Sequence, residues 1–184
     1  TVPYVDGSLS ISRASRTFPQ FLIFKPGMII TSVLLCFYWH KNNLVINQFN
    51  NTYSKKNTFM IFGILSAFFL LLHSILLGLE TDIKIFKFLR RVILLNFIIF
   101  EVIAQSLLVV NFYKLKKKLK NYFNLNILKL KILLVSVLIF VSILSIPFLI
   151  VSGNVHFKHG LEWNYFIAII SFYFLTSFFW KKNI

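Results

Sequence analysis

VILLNFIIFEVIAQSLLVVNF, the stretch from Val92 to Phe112, decides the fold. A helix of that length measures about 30 Å, the thickness of a bilayer's hydrocarbon core, and neither Pro nor Gly interrupts it. Glu101 is its one charge. A carboxylate at the bilayer centre costs on the order of 2.5–3.5 kcal/mol on insertion scales, so Glu101 must face other protein, and the span needs neighbouring helices. Four more apolar runs of similar length supply them, near residues 21–39, 59–79, 132–151 and 164–180. The expected fold is all-α: a polytopic transmembrane helix bundle forming a single transmembrane domain over residues 1–184, with five spans in this chain. Residues 1–20 are polar and lie on the outer side by the charge count below. A sixth span upstream of residue 1, or a signal peptide, is expected to carry them across.

Composition points the same way. Hydrophobic residues make up 58% of the chain, against roughly 45–50% in soluble domains. The net charge of +15 sits in short loops beside apolar runs, where phospholipid headgroups are the nearer anions, so membrane phospholipids are the expected partners and nucleic acid is not. The lone Cys36 excludes an internal disulfide and a multi-cysteine metal site; within the first run it reads as a packing residue.

Numbering the loops alternately puts Asp6, Glu80, Asp82 and Glu162 on one face and no carboxylate on the other. The acid-bearing face carries Arg13, Arg16, Lys84, Lys87, Arg90, Arg91 and Lys158. The opposite face carries Lys41, Lys55, Lys56, Lys114, Lys116, Lys117, Lys118, Lys120, Lys129, Lys131, Lys181 and Lys182. The second set is the larger, so its side is cytoplasmic by the positive-inside rule. The N-terminal segment, 80–91 and 152–163 are then outside, and 40–58, 113–131 and the C-terminus inside. Trp39 and Trp180 would mark inner borders and Trp163 an outer one. The richness in Lys, Asn, Ile and Phe suggests an A/T-rich genome and a bacterial inner membrane; in a eukaryote the site would be an endomembrane.

Polar residues inside the spans form a first candidate site. Gln105 follows Glu101 at i+4 and shares its face, and His73 with Ser74 is the matching pair on the preceding span. Interhelical glue and a ligand, proton or catalytic role both fit this set. Pro26-Gly27, beside Lys25, reads either as a broken helix start or as a tolerated first-turn proline. Ser142, Ser145 and Pro147 mark a possible kink.

The outer segment is the most specific text: Val2-Pro3-Tyr4, Ser10-Ile11-Ser12-Arg13-Ala14, then Pro19-Gln20 and Lys25. It resembles the Frag1/DRAM/Sfk1 family, including PGAP2-like proteins and the N-terminal region of Cwh43-like proteins. These carry a Pro-hydrophobic start, a Ser-x-Ser motif and a Pro before a span with a basic outer end. Ser15 stands where many members have glycine, and Thr17 where an acid is common. The resemblance implies a six-span fold with an exoplasmic Ser-x-Ser loop, and an association with lipid-linked processes rather than with one reaction.

A non-enzymatic, lipid-interacting or lipid-organising role is therefore expected, with an exoplasmic headgroup-level pocket of Ser10, Ser12, Arg13, Arg16 and Lys25. Arg offers a planar fork to phosphate and Lys a compact charge. A membrane-embedded lipid hydrolase or transferase would use the outer-loop residues Glu80, Asp82, His156, His159 and Glu162. No His-Glu-x-x-His or Gly-x-Ser-x-Gly pattern supports it, so no metal or cofactor is called for. A transporter or accessory subunit of a membrane complex is the third reading; nothing resembles an inverted repeat.

Overall fold

A computed structural model describes residues 2–15, 18–50, 57–77, 84–150 and 153–181. In chain order its helices are α1 (Pro3–Asp6), α2 (Ile11–Ala14), α3 (Gln20–Asn50), α4 (Thr58–Leu76), α5 (Lys84–Lys114), α6 (Lys116–Leu119), α7 (Leu125–Ile150) and α8 (Val155–Ser177). Among the described residues four helical stretches are long and apolar enough to cross a membrane: Gln20–Asn50, Thr58–Leu76, Phe88–Lys114 and Leu125–Phe148. Large apolar side chains such as Ile23, Phe37, Phe140 and Phe174 lie exposed along the helices. Water would not tolerate so much of this surface, but lipid covers it without cost. The chain is a helical membrane protein.

Helix boundaries depart from the sequence reading where polar residues continue a helix. The expected fifth span, 164–180, overlaps α8 as far as Ser177; the helix begins nine residues before the expected start and carries His156, Lys158, His159, Glu162 and Asn164 in its first half. That polar half keeps α8 out of the membrane-length set. The 152–163 stretch is thus a helix from Val155 onward, not an outer loop. The 40–58 connection is helical through Asn50, because its asparagines pack rather than loop. Residues 84–91 form the first turns of α5. Both α3 and α5 have 31 residues, about 46 Å of helix, and so outreach the hydrocarbon core.

Prolines do not break the helices that hold them. Pro26 lies inside α3 and Pro147 inside α7, each depriving one upstream carbonyl of its intrahelical donor. Cys36, read as a packing residue, is exposed on α3.

The chain divides into two compact units, Ser12–Leu107 and a second composed of Thr1–Ile11 with Leu108–Ile184. In the central unit α3 packs on α4, with Trp39 fully buried beside Phe59 at a centroid distance of 6.2 Å. A methyl group on Gly63 would overlap the Trp39 indole, so glycine is what allows the ring to lie on α4. Trp39 therefore serves the helix interface and not the headgroup layer. Beyond it Asn57, which precedes α4, donates its amide hydrogens to Asn43 Oδ1 and Asn47 Oδ1, both at 2.9 Å. In the terminal unit α7 packs on α8 and α1 on α8. Phe112, Phe123, Phe179 and Trp180 cluster there, with Phe123 and Phe179 stacked at 5.0 Å.

Candidate functional site

The terminal unit builds its site from the first turns of α8. Gly7 ends α1 in the left-handed region, at φ 62°, and a side chain there would strike the backbone of His156. That close approach brings the Gly7 carbonyl to 3.3 Å from His156 Nδ1 and 3.1 Å from His159 Nδ1. Trp163 Nε1 donates to the Leu9 carbonyl at 2.7 Å, and Asn164 Nδ2 to the Tyr4 carbonyl at 3.0 Å. Four side chains at 156, 159, 163 and 164, one stripe of a helix, thus engage three carbonyls of the N-terminal segment. Asp6 secures the segment from within, accepting the Ser8 and Val2 amides at 2.9 and 3.0 Å. The Ser8 amide bond is the main reason its carboxyl titrates below the usual carboxylate value.

Next to this clamp an apolar cleft of about 580 Å³ runs between α7 and α8, lined by Leu133, Leu134, Val137 and Val141 on one side and Leu161, Ala168 and Leu175 on the other. Asn164 lines it too, so one side chain belongs to both clamp and cleft. Its wall is fixed by Tyr165, whose hydroxyl lies 2.6 Å from Ser142 Oγ and donates to the Leu138 carbonyl at 3.0 Å. The volume is within the roughly 300–1,000 Å³ of small-molecule sites.

Elsewhere in this unit Lys131, counted above among the loop lysines, is buried in α7. Its ammonium donates to Thr176 Oγ1 at 2.6 Å and sits 4.2 Å from the Phe172 ring centroid and 5.1 Å from that of Phe179. Ring faces substitute here for water around a cation.

The central unit carries the polar cluster. Glu101 and Gln105 are fully buried and His73 is buried on α4. Ser66 Oγ lies 2.6 Å from Glu101 Oε2, and Gln105 Nε2 donates to Glu101 Oε1 at 2.9 Å. Ser66 is the member the sequence reading missed; its spacing of seven from His73 was the available signal.

Lys25 reaches the Ile75 and Leu77 carbonyls at 3.5 and 3.3 Å, a cation at the C-terminus of α4. Ser10 is buried and Arg13 exposed. Arg16, Glu80 and Asp82 lie outside the described residues, as does the side chain of Ser12. Glu162 is half-buried on α8, on the same helix as His156 and His159. Among the described residues no three His, Cys, Asp or Glu side chains group to hold a metal. Compared with family models, with curated proteins and with solved structures, the chain matches none.

Proposed function

We propose that the protein is a non-enzymatic, lipid-interacting or lipid-organising membrane protein of the Frag1/DRAM/Sfk1 type, which takes a phospholipid acyl chain into the α7/α8 cleft. The observation that carries this reading is the adjacency of that apolar cleft to the clamped N-terminal segment, joined at Asn164. The medium around α7 is hydrocarbon, and an apolar groove open to it is filled by the chains of that medium. The clamped segment acts as a lid over the outer end. In this reading α8 is a fifth span, its polar first half at the outer surface with the acid-bearing face, and the lysine-rich loops are in the cytoplasm of a bacterium. The lipid reading rests on the cleft more than on the expected Ser10 to Lys25 pocket, since Lys25 is engaged with the end of α4.

Lipid mass spectrometry on the gently purified protein tests it. Leu134→Trp fills the cleft and should reduce co-purified phospholipid severalfold with the helices still assembled. Trp163→Phe removes one lid hydrogen bond, worth about 1 kcal/mol, and should speed lipid exchange without changing the amount bound. Equal phospholipid in Leu134→Trp and the parent would refute the cleft.

A further inference from the structure

We propose a second site in the central unit: Glu101, with Ser66 and Gln105, binds and releases a proton inside the membrane. Ser66 Oγ has two oxygen neighbours, Glu101 Oε2 at 2.6 Å and the Gly63 carbonyl at 2.8 Å, but a hydroxyl has only one hydrogen. With Glu101 ionised, that hydrogen points to the carboxylate. With Glu101 protonated, the carboxyl donates to Ser66 Oγ and the serine turns its hydrogen to Gly63. Both states are fully hydrogen-bonded, so the proton can come and go without leaving a buried group unsatisfied. The Gly63 bond is the back-bond a helical serine ordinarily makes, and it gives the hydroxyl hydrogen a place to turn when the carboxyl carries the proton.

Gln105 adds an independent observation. Its Nε2 serves Glu101 Oε1 in either state, while its own Oε1 is shut off from solvent and accepts no hydrogen bond among the described residues. That amide oxygen, on the very group that touches the carboxylate, suits a water carrying the proton. In release, the carboxyl O–H bond breaks, its electron pair stays on Oε2, and the proton leaves on water as hydronium. His73, on the α4 face that presents Ser66, is the other buried titratable side chain of this unit among the described residues. The buried residues of α3, packed against α4, include none that is charged.

The test is carbodiimide labelling of the full chain in phospholipid vesicles. Dicyclohexylcarbodiimide enters hydrocarbon and reacts with protonated carboxyls, and peptide mapping locates the adduct. Labelling at Glu101 should be high at low pH and fall by about tenfold per pH unit above its midpoint. Ser66→Ala, which removes one of the two proton-sharing arrangements, should move that midpoint while leaving Glu101 labelled. No adduct between about pH 5 and 9, or an adduct independent of pH, would overturn the proposal. Protection by sodium at fixed pH would also overturn it, assigning the same oxygens to a metal cation. The parent titration alone decides the matter should the variant fail to fold.

Discussion

Glu101 in the central unit and Lys131 in the terminal unit are both buried ionisable side chains, and the chain accommodates them by opposite means. The carboxylate is held by directed hydrogen bonds from Ser66 and Gln105. The ammonium has one such bond, to Thr176, and otherwise rests against the faces of Phe172 and Phe179. Directed bonds fix the geometry of the carboxyl group and its neighbours. Ring faces are indifferent to a few tenths of an ångström, which suits a lysine that joins α7 to α8.

Removing the rings gives the largest expected effect. Phe172→Ala opens a cavity in the terminal unit and strips the ammonium of its nearer face, costing about 3–5 kcal/mol. Lys131→Met should be close to neutral, since a buried charge replaced by an apolar chain of similar size loses little. Thermal unfolding in detergent reads both. A Lys131→Met variant as unstable as Phe172→Ala would mean that the charge, and not the packing, holds the helices.

Glu101→Leu comes next. It leaves the Gln105 amide buried without its acceptor, for about 1–3 kcal/mol, while Glu101→Gln keeps an oxygen there and should cost less. Equal losses in the two variants, by the same measurement, would erase the distinction drawn between directed and undirected stabilisation.

The smallest effect is at Asp6. Its carboxyl is held below the ordinary 3.8 mainly by the Ser8 amide, so its contribution to the N-terminal segment is complete above that pH and is lost as pH falls through the lower folded value. Hydrogen exchange over residues 2–9, corrected for intrinsic rates, should accelerate only below about pH 3.8, and Asp6→Asn should abolish that step. Acceleration that persists in Asp6→Asn would contradict this assignment.

The central unit was the more legible in sequence. The cost of a charge in lipid forces Glu101 inward, and the i+4 spacing brings Gln105 with it, so two members of the cluster followed from position alone. Ser66 did not, because a serine in an apolar helix ordinarily back-bonds to its own turn, as Ser74 does with Leu70. The asparagines at 43 and 47 read as loop from composition, yet their i+4 spacing fits the helical face they occupy. In the terminal unit the partners were invisible. His156, His159, Trp163 and Asn164 bind main-chain carbonyls, which every residue has, so no pattern of side chains betrays where a segment will be held. Lys131 misled for a related reason: a lysine at the end of an apolar run looks like a loop charge unless the rings that cover it, forty residues on, are known to return.

Photocrosslinking tests the lipid cleft most directly. The protein is loaded with a phospholipid bearing a diazirine on its acyl chain, moved to detergent to strip loosely held lipid, and irradiated. Adducts are expected to concentrate on Val137, Leu134 and Ala168 in α7 and α8, and to fall in Leu134→Trp. Adducts spread evenly over lipid-facing positions such as Phe37 and Phe68, with the cleft no richer than the rest, would contradict the lipid cleft.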